Sequence, residues 1–276
     1  MTASPLIELN DGNAIPQVGL GVWQTPNDVA VEAVRTALEA GYRHVDTAAI
    51  YGNEDGVGQG LRASGAPRAE VFVTTKVWNE NQGYDAALKA TKDSLRRLGL
   101  EQVDLLLIHW PSPSRGLYVD TWKALIQARK DGLARSIGVS NFEPEHLERI
   151  IGETGVAPAL NQIELHPRFQ QKAARAANEA HGVRTESWSP LGRGLLLADP
   201  VVANIARKHG RTPAQVIIRW HIENGLIVIP KSVTPSRIRE NFDVFNFALD
   251  ADDLAAFAGL DDPDGRIGPH PMTAKF

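Results

Sequence analysis

The feature that most constrains the fold is a regular alternation of short apolar runs with longer amphipathic stretches. Eight runs of strand length follow one another, at 18–21, 44–46, 71–76, 103–110, 136–139, 160–163, 183–188 and 226–230. Apolar residues at three- and four-residue spacing predict helices between them, at 29–38, 86–98, 118–129, 145–151 and 213–222. Eight such units in about 250 residues are typical of a (β/α)8 barrel. A doubly wound parallel sheet is the alternative, because a sequence does not reveal strand order.

The segment before the first run has the pattern of a β-hairpin. Residues 6–9 alternate in polarity, Asp11 and Gly12 supply a turn, and residues 14–16 follow. No low-complexity segment or Pro/Ser-rich linker divides the rest of the chain. We therefore expect one domain spanning residues 1–276, with an irregular arm from residue 261 onward.

Composition excludes several classes of function. The chain has no cysteine, which excludes disulfides, Cys-ligated metal centres and a thiol nucleophile. Its net charge of -4 gives no electrostatic case for binding nucleic acid or an anionic membrane. No apolar run approaches the roughly 20 residues of a membrane span, and residues 1–10 lack a signal-peptide pattern. We expect a soluble, cytoplasmic protein.

Polar residues follow several of the predicted strands, where a barrel places its active site. Asp46 ends the second run, Tyr51 follows it, and Lys76 and His109 end the third and fourth. Asp46 would offset the cost of desolvating Lys76, and a nearby cation would lower the pKa of the Tyr51 phenol and make it a proton donor. His109 could hydrogen-bond a substrate oxygen. The set suits a carbonyl whose oxygen gains negative charge, and it contains no metal-ligand cluster.

Each of these residues also has a structural explanation when taken alone. Asp46 could cap a turn, Tyr51 could pack, Lys76 could serve a structural ion pair, and His109 could be a buried core histidine. Only their convergence on one face of a barrel favours the functional interpretation.

A dinucleotide would have to bind without the usual glycine fingerprint. Gly56, Gly58 and Gly60 have the wrong spacing for it and fall in a helical segment, and there is no P-loop. Lys231 and Ser232 at the last strand, with Arg237 in the helix from residue 235, form a different candidate phosphate site. A solvated, mildly basic helix start is the alternative.

Tryptophans indicate a pocket at the same end of the barrel. Trp23, Trp78, Trp110 and Trp188 all follow or end predicted strands, where their rings could form the wall of a pocket. The remaining tryptophans, at 122 and 220, fall in helical stretches and are expected in the core.

A set of ordered motifs resembles the aldo-keto reductase superfamily, in particular the bacterial branch that includes 2,5-diketo-gluconic acid reductases. The motifs are GYRHVDTA at 41–48, YGNE at 51–54, TTKVW at 74–78, DLLLIHWP at 104–111, SIGVSNF at 136–142, NQIELHP at 161–167, SPLG at 189–192 and IPKSV at 229–233. The resemblance implies a (β/α)8 TIM barrel whose bottom is closed by the N-terminal hairpin.

The resemblance also implies NADPH as cofactor and small carbonyl compounds as substrates. Asp46, Tyr51, Lys76 and His109 match the family's catalytic tetrad, with Tyr51 as proton donor. The residues matched to the cofactor site are Ser140, Asn141, Gln162, Trp188, Ser189, Leu191, Gly192, Lys231, Ser232, Val233, Arg237, Glu240 and Asn241. Within this set, Ser140, Asn141 and Gln162 match the residues that hold the nicotinamide carboxamide. Lys231, Ser232 and Arg237 match the 2′-phosphate site, Glu240 and Asn241 the adenine side, and Trp188 the stacking aromatic.

Trp23, Trp78 and Trp110 are the candidate substrate contacts. A short tail predicts an open pocket, in which Arg266 or His270 could meet an anionic substrate. The resemblance gives His166 a structural role and favours a monomer.

Two other functions remain open from the sequence. A desolvated Lys76 could form a Schiff base in a lyase of the same architecture. A cofactor-sensing subunit could bind NADPH with negligible turnover. The full tetrad and the absence of an extra interaction segment favour an enzyme over the sensor.

Overall fold

The fold is built around eight parallel strands that follow one another in chain order across a single sheet. The computed structural model describes residues 3–274. The strands are β3 (Leu20–Gly21), β4 (His44–Asp46), β5 (Phe72–Val77), β6 (Val103–Ile108), β7 (Ala134–Ser140), β8 (Leu160–Glu164), β9 (Arg184–Trp188) and β10 (Ile227–Val228). Parallel bridges from Val18 to Val228 and from Gly21 to Lys231 join the first strand to the last. The predicted (β/α)8 barrel is confirmed, and the doubly wound alternative is wrong because the sheet closes without reversing its strand order.

The N-terminal hairpin is also present. Strands β1 (Leu6–Glu8) and β2 (Ala14–Pro16) pair antiparallel around a turn in which Gly12 has a φ of 84°. Ile15 is fully buried and packs in a cluster with Phe72 and Leu160, the first residues of β5 and β8. The hairpin therefore closes the amino-terminal end of the barrel, as the resemblance implies.

Helices surround the barrel. They are α1 (Asn27–Glu39), α2 (Glu54–Ala63), α3 (Tyr84–Leu98), α4 (Tyr118–Lys130), α5 (Pro144–Thr154), α6 (Lys172–Ala180), α7 (Pro200–His209), α8 (Pro213–Glu223), α9 (Pro235–Phe242) and α10 (Ala251–Ala258). The five predicted helices correspond to α1, α3, α4, α5 and α8, and Thr212 caps α8. Trp122 and Trp220 are buried in the packing around these helices. No helix within residues 3–274 has the length and apolarity needed to cross a membrane.

Helix periodicity alone did not reveal α6, α7 or α10. Helix α6 buries only Ala174 and Asn178, so it carries no long apolar stripe for a periodicity search to detect. Helices α7 and α8 both lie between β9 and β10 and fill the long interval before the last strand. Helix α10 follows the completed barrel. The arm from residue 261 is irregular as far as residue 274, and its last two residues lie outside the described part, as do Met1 and Thr2.

Helix α2 lies unusually close to both of its neighbours. A Cβ added at Gly56 would overlap the carbonyl oxygen of Asn27, and one at Gly58 would overlap that of Leu98. A Cβ at Gly60 would lie 2.7 Å from the carbonyl oxygen of Val31. The glycines that lack dinucleotide spacing thus allow the backbone of α2 to approach α1 and α3 directly.

Candidate active site

A cavity of about 470 Å³ opens at the carboxyl-terminal end of the barrel. Most of the residues predicted to act there lie on its wall. They are Asp46, Tyr51, His109, Ser140, Asn141, Gln162, Trp188, Ser189 and Lys231, together with Trp23, Trp78 and Trp110. The strands bring these positions together from across the whole chain, because every parallel strand ends at the same rim.

A buried ion pair lies beneath the cavity. Lys76 Nζ donates to Asp46 Oδ1 at 2.6 Å and to the carbonyl oxygen of Thr47 at 2.9 Å. The Lys76 side chain is 0% exposed and that of Asp46 3% exposed. Burial lowers the pKa of Lys76, but the attraction of Asp46 and Tyr51 outweighs it and the net shift is upward. Lys76 is therefore a fixed ammonium group that does not touch bulk water.

Tyr51 lies directly above this pair, in a 3₁₀ turn formed by Ala49–Tyr51. The Nζ atom of Lys76 is 5.3 Å from the centre of the tyrosine ring. Lys76 lowers the pKa of the Tyr51 phenol, as expected, but the net shift is not downward. Burial raises the pKa of Tyr51 by more than Lys76 lowers it, so the net shift is upward. Tyr51 is therefore a phenol at neutral pH, with an ammonium placed to stabilise the phenolate once the proton has left.

His109 packs its ring edge-on against both Tyr51 and Trp78, with ring centres 5.6 Å and 5.1 Å away. Its Nδ1 atom is buried and has no hydrogen-bond partner among the described residues. Burial and the charge of Lys76 lower the pKa of His109 well below its ordinary value. The imidazole is therefore neutral and can donate a hydrogen bond without acting as an acid.

A second group of polar side chains is linked across the ends of β7, β8 and β9. Ser140 Oγ donates to the carbonyl oxygen of Gln162 at 2.8 Å. Asn141 has a left-handed backbone, with a φ of 62°, and its Nδ2 donates to the carbonyl oxygen of His109 at 2.9 Å. Trp188 Nε1 donates to Asn141 Oδ1 at 2.8 Å. These bonds fix the tryptophan ring at the cavity wall.

Two cations lie at the outer side of the site. Lys231 follows β10 at the edge of the cavity, and Arg237 projects from α9. Both are exposed, and neither side chain has a hydrogen bond or an ion pair within residues 3–274. Ser232 Oγ accepts from the backbone N–H of Thr234 at 3.2 Å. Unpaired cations beside the start of a helix suit a phosphate dianion.

The other predicted cofactor residues lie outside the cavity wall. They are Leu191, Gly192, Ser232, Val233, Arg237, Glu240 and Asn241. Glu240 Oε1 accepts from the hydroxyl of Thr212 at 2.9 Å, and Asn241 is 5% exposed. Residues 232–241 extend from the end of β10 into α9, so a ligand touching both them and the cavity would have to be elongated.

The C-terminal arm reaches the cavity and is held there by Glu164. The Glu164 carboxylate accepts from the backbone N–H groups of Ile267 at 2.6 Å and Gly268 at 2.8 Å. A Cβ at Gly268 would lie 2.5 Å from the Trp188 ring, so the arm packs against that ring. Arg266, considered for an anionic substrate, instead stacks on Phe169 with its guanidinium 4.8 Å from the ring centre.

Two loop residues near the arm differ in their relation to the cavity. His166 is buried and its Nε2 atom lies 3.3 Å from Glu164 Oε1, the carboxylate that holds the arm, so its contacts are structural. Arg193 is a cavity residue that the sequence interpretation missed, and its guanidinium lies 5.1 Å from the centre of the Trp23 ring. The sequence signal was the pair of glycines, Gly192 and Gly194, that flank Arg193; in the structure all three residues have positive φ.

The sequence profile of the Aldo/keto reductase family matches residues 16–262. The chain belongs to the aldo/keto reductase family. It is 57% identical over 273 residues to an aldo-keto reductase of Mycolicibacterium smegmatis, covering 99% of each chain. It is 51% identical over 273 residues to the methylglyoxal reductase DkgA of Escherichia coli, covering 98% of each.

A crystal structure of a Gox0644 variant in complex with NADPH superimposes with a TM-score of 0.96, at 57% identity and over 100% of both chains. The family and branch that the sequence motifs indicated are therefore confirmed. In this aldo/keto reductase, two of the residues matched to the family's tetrad, Lys76 and Asp46, form the buried ion pair. The other two, Tyr51 and His109, line the cavity.

Proposed function

We propose that this aldo/keto reductase reduces small aldehydes and ketones with NADPH, and that Tyr51 donates the proton. The observation that carries the proposal is a neutral phenol at a cavity, above a buried ammonium–carboxylate pair. The named activity of the Escherichia coli relative and the NADPH held by the Gox0644 variant support it.

The residues present fit NADPH. Lys231 and Arg237 offer unpaired positive charge, and Trp188 presents a fixed aromatic ring at the cavity. The Oε1 atom of Gln162 accepts no hydrogen bond from the described residues, although Gln162 lies on the cavity wall. It is available to a donor such as a carboxamide N–H. When bound, NADPH supplies a hydride.

The chain's own residues handle the proton and the developing charge. His109 donates a hydrogen bond to the carbonyl oxygen and polarises it. Tyr51 passes its hydroxyl proton to that oxygen. Lys76 stabilises the phenolate left on Tyr51, and Asp46 keeps Lys76 charged. Because burial raises the pKa of Tyr51 above its ordinary value of about 10, the donor form persists throughout the neutral range.

The test is carbonyl-dependent oxidation of NADPH by the purified protein, followed by absorbance. The panel comprises methylglyoxal, sugar keto-acids, aromatic aldehydes and α-diketones. Steady turnover on at least one class is expected. Binding of NADPH without single-turnover oxidation would instead identify a cofactor sensor.

The same carbonyl compounds, used with borohydride in place of NADPH, test the alternative that the protein is a lyase. The upward pKa shift of Lys76 keeps its amine protonated, which disfavours nucleophilic attack on a carbonyl. Borohydride in the presence of substrate should therefore leave the protein's mass unchanged. A covalent adduct at Lys76 would favour the lyase.

Cofactor preference gives a separate prediction. Arg237→Ala should raise the Kd for NADPH by about 10- to 100-fold, because a charged hydrogen-bond partner of the 2′-phosphate is lost. The Kd for NADH should stay within about twofold, since NADH lacks that phosphate. Both constants can be measured by quenching of tryptophan fluorescence.

Arg239→Ala is the matched control. Arg239 lies on the same helix, α9, but its guanidinium contacts the carbonyl oxygen of Pro235 at 3.4 Å. The Arg239→Ala substitution removes the same charge from the same helix. It should leave the ratio of the Kd for NADPH to the Kd for NADH unchanged. Equal weakening of NADPH and NADH in Arg237→Ala would reject the phosphate assignment.

A further inference from the structure

A buried carboxyl group that the proposed mechanism does not use lies beside the site. Glu186 is in the middle of β9, is 0% exposed, and is the register partner of Gln162 on β8. Its carboxyl group faces His44 and Asp46 from β4, Lys76 from β5 and Gln162 from β8. A buried carboxyl group among these residues needs an explanation, because isolated buried charge is costly.

The Gln162 amide joins Glu186 to the catalytic carboxylate. Its Nε2 atom donates to Asp46 Oδ2 at 2.8 Å and to Glu186 Oε2 at 2.7 Å. A primary amide nitrogen has only two hydrogens, so both are used. The reverse orientation would set the amide oxygen against two carboxyl oxygens. Together the two bonds leave Oε1 of Gln162 as the atom without a partner among the described residues.

The surroundings of the other Glu186 oxygen indicate its protonation state. His44 Nδ1 lies 3.2 Å from the carbonyl oxygen of Pro16, which can only accept, so Nδ1 carries the ring hydrogen. Burial lowers the pKa of His44 to about 4, so the ring is neutral and Nε2 is an acceptor. The ring packs closely against the backbone of Gly19, where a Cβ would lie 2.5 Å from Nδ1, and the hydroxyl of Thr74 lies 3.4 Å from Nε2, to which it can donate.

Glu186 Oε1 lies 3.6 Å from that Nε2 and has no hydrogen-bond partner among the residues that the structure describes. A carboxylate would set its charge against the lone pair of the ring, whereas an acid proton on Oε1 would point at an acceptor. Burial and the nearby charge of Asp46 raise the pKa of Glu186 to about 8, in agreement with this geometry. Within residues 3–274, the neutral form also leaves the Asp46 carboxylate as the only anion beside Lys76.

We propose that Glu186 is a positioning residue that stays in its acid form and fixes the Gln162 amide with Oε1 toward the cofactor. Glu186 does not itself line the cavity and reaches it only through Gln162. It acts by accepting the second amide hydrogen of Gln162, so that the amide cannot rotate away. The inference deepens the proposed function and rests on it for the identity of the cofactor.

The test compares a variant that keeps the acceptor with one that removes it. Glu186→Gln retains an oxygen for Gln162 and an N–H for His44, and should keep the Kd for NADPH within about twofold of wild type. Glu186→Met removes the acceptor at similar size. It should raise the Kd for NADPH about tenfold, because a buried amide hydrogen loses its partner. Melting temperatures of both variants control for loss of folding.

A second readout needs no cofactor. The infrared spectrum of wild type at pH 7 should contain a carboxylic-acid C=O band that is missing from Glu186→Gln. Absence of that band would show that Glu186 is a carboxylate, and a Glu186→Gln variant as impaired as Glu186→Met would show that a neutral acceptor at this position does not suffice; either result would overturn the proposal. Equal NADPH affinity in all three proteins would overturn the positioning role. Failure of wild type itself to bind NADPH would instead refute the proposed function.

Discussion

Tyr51→Phe is expected to lower carbonyl-dependent NADPH oxidation by about 10²- to 10⁴-fold, the range that a general acid contributes. Only the hydroxyl is removed, so the ring should keep its edge-on contact with His109. The Kd for NADPH should stay within about twofold, because the lost group acts on the substrate oxygen in the transition state. Single-turnover absorbance and fluorescence titration measure the two quantities.

Tyr84→Phe is the matched control. Tyr84 begins α3, is 42% exposed and does not line the cavity, so loss of its hydroxyl should not change turnover. Retention of wild-type turnover by Tyr51→Phe would show that another group or water protonates the substrate. A fall in NADPH affinity that matches the fall in rate would place Tyr51 in cofactor binding instead.

Removing the charge of Lys76 is expected to affect both the stability of the fold and the rate of turnover. Lys76→Met should lower the free energy of unfolding by about 3–5 kcal/mol, the usual cost of leaving one member of a buried ion pair unpaired. Asp46 would then hold its charge at 3% side-chain exposure, and the amide of Gln162 would be its only remaining donor in the described part of the chain. Turnover should also be lost, since no cation remains to stabilise the phenolate of Tyr51. Urea denaturation and the NADPH assay measure the two effects.

The double variant Lys76→Met/Asp46→Asn separates them. Neutralising Asp46 removes the unpaired charge, and the asparagine oxygen can still accept from Gln162. Most of the lost stability should therefore return while turnover stays absent. A single variant as stable as wild type would mean that the pair contributes nothing to folding, and an active double variant would remove Lys76 from the mechanism.

The architecture and the position of the site could be predicted from sequence because both depend on local patterns. Each apolar run marks a strand, and in a parallel barrel the residue after each strand must reach the same rim. Asp46 is the last residue of β4, Lys76 is the last but one of β5, and His109 follows β6, so their convergence at this rim follows once the strands are placed.

Quantities that depend on three-dimensional burial could not be predicted in this way. The direction of the Tyr51 pKa shift depends on how far burial outweighs the charge of Lys76, and no sequence spacing encodes that balance. The contact of Glu164 with Ile267 joins residues 103 positions apart. The role of Glu186 depends on a histidine tautomer fixed by a backbone carbonyl, a detail that only the folded arrangement provides.

The glycine face of α2 has a consequence for anyone who wishes to reshape this enzyme. The helix begins shortly after Tyr51, and at Gly58 its backbone lies directly against that of Leu98, so no flexible side chain there can absorb a change. A single methyl group at Gly58 must therefore push the whole helix outward, and the turn that aims the phenol is tethered to it. Mutational libraries restricted to the residues of the cavity would therefore omit Gly58, a position on the helical layer of the barrel that can shift Tyr51.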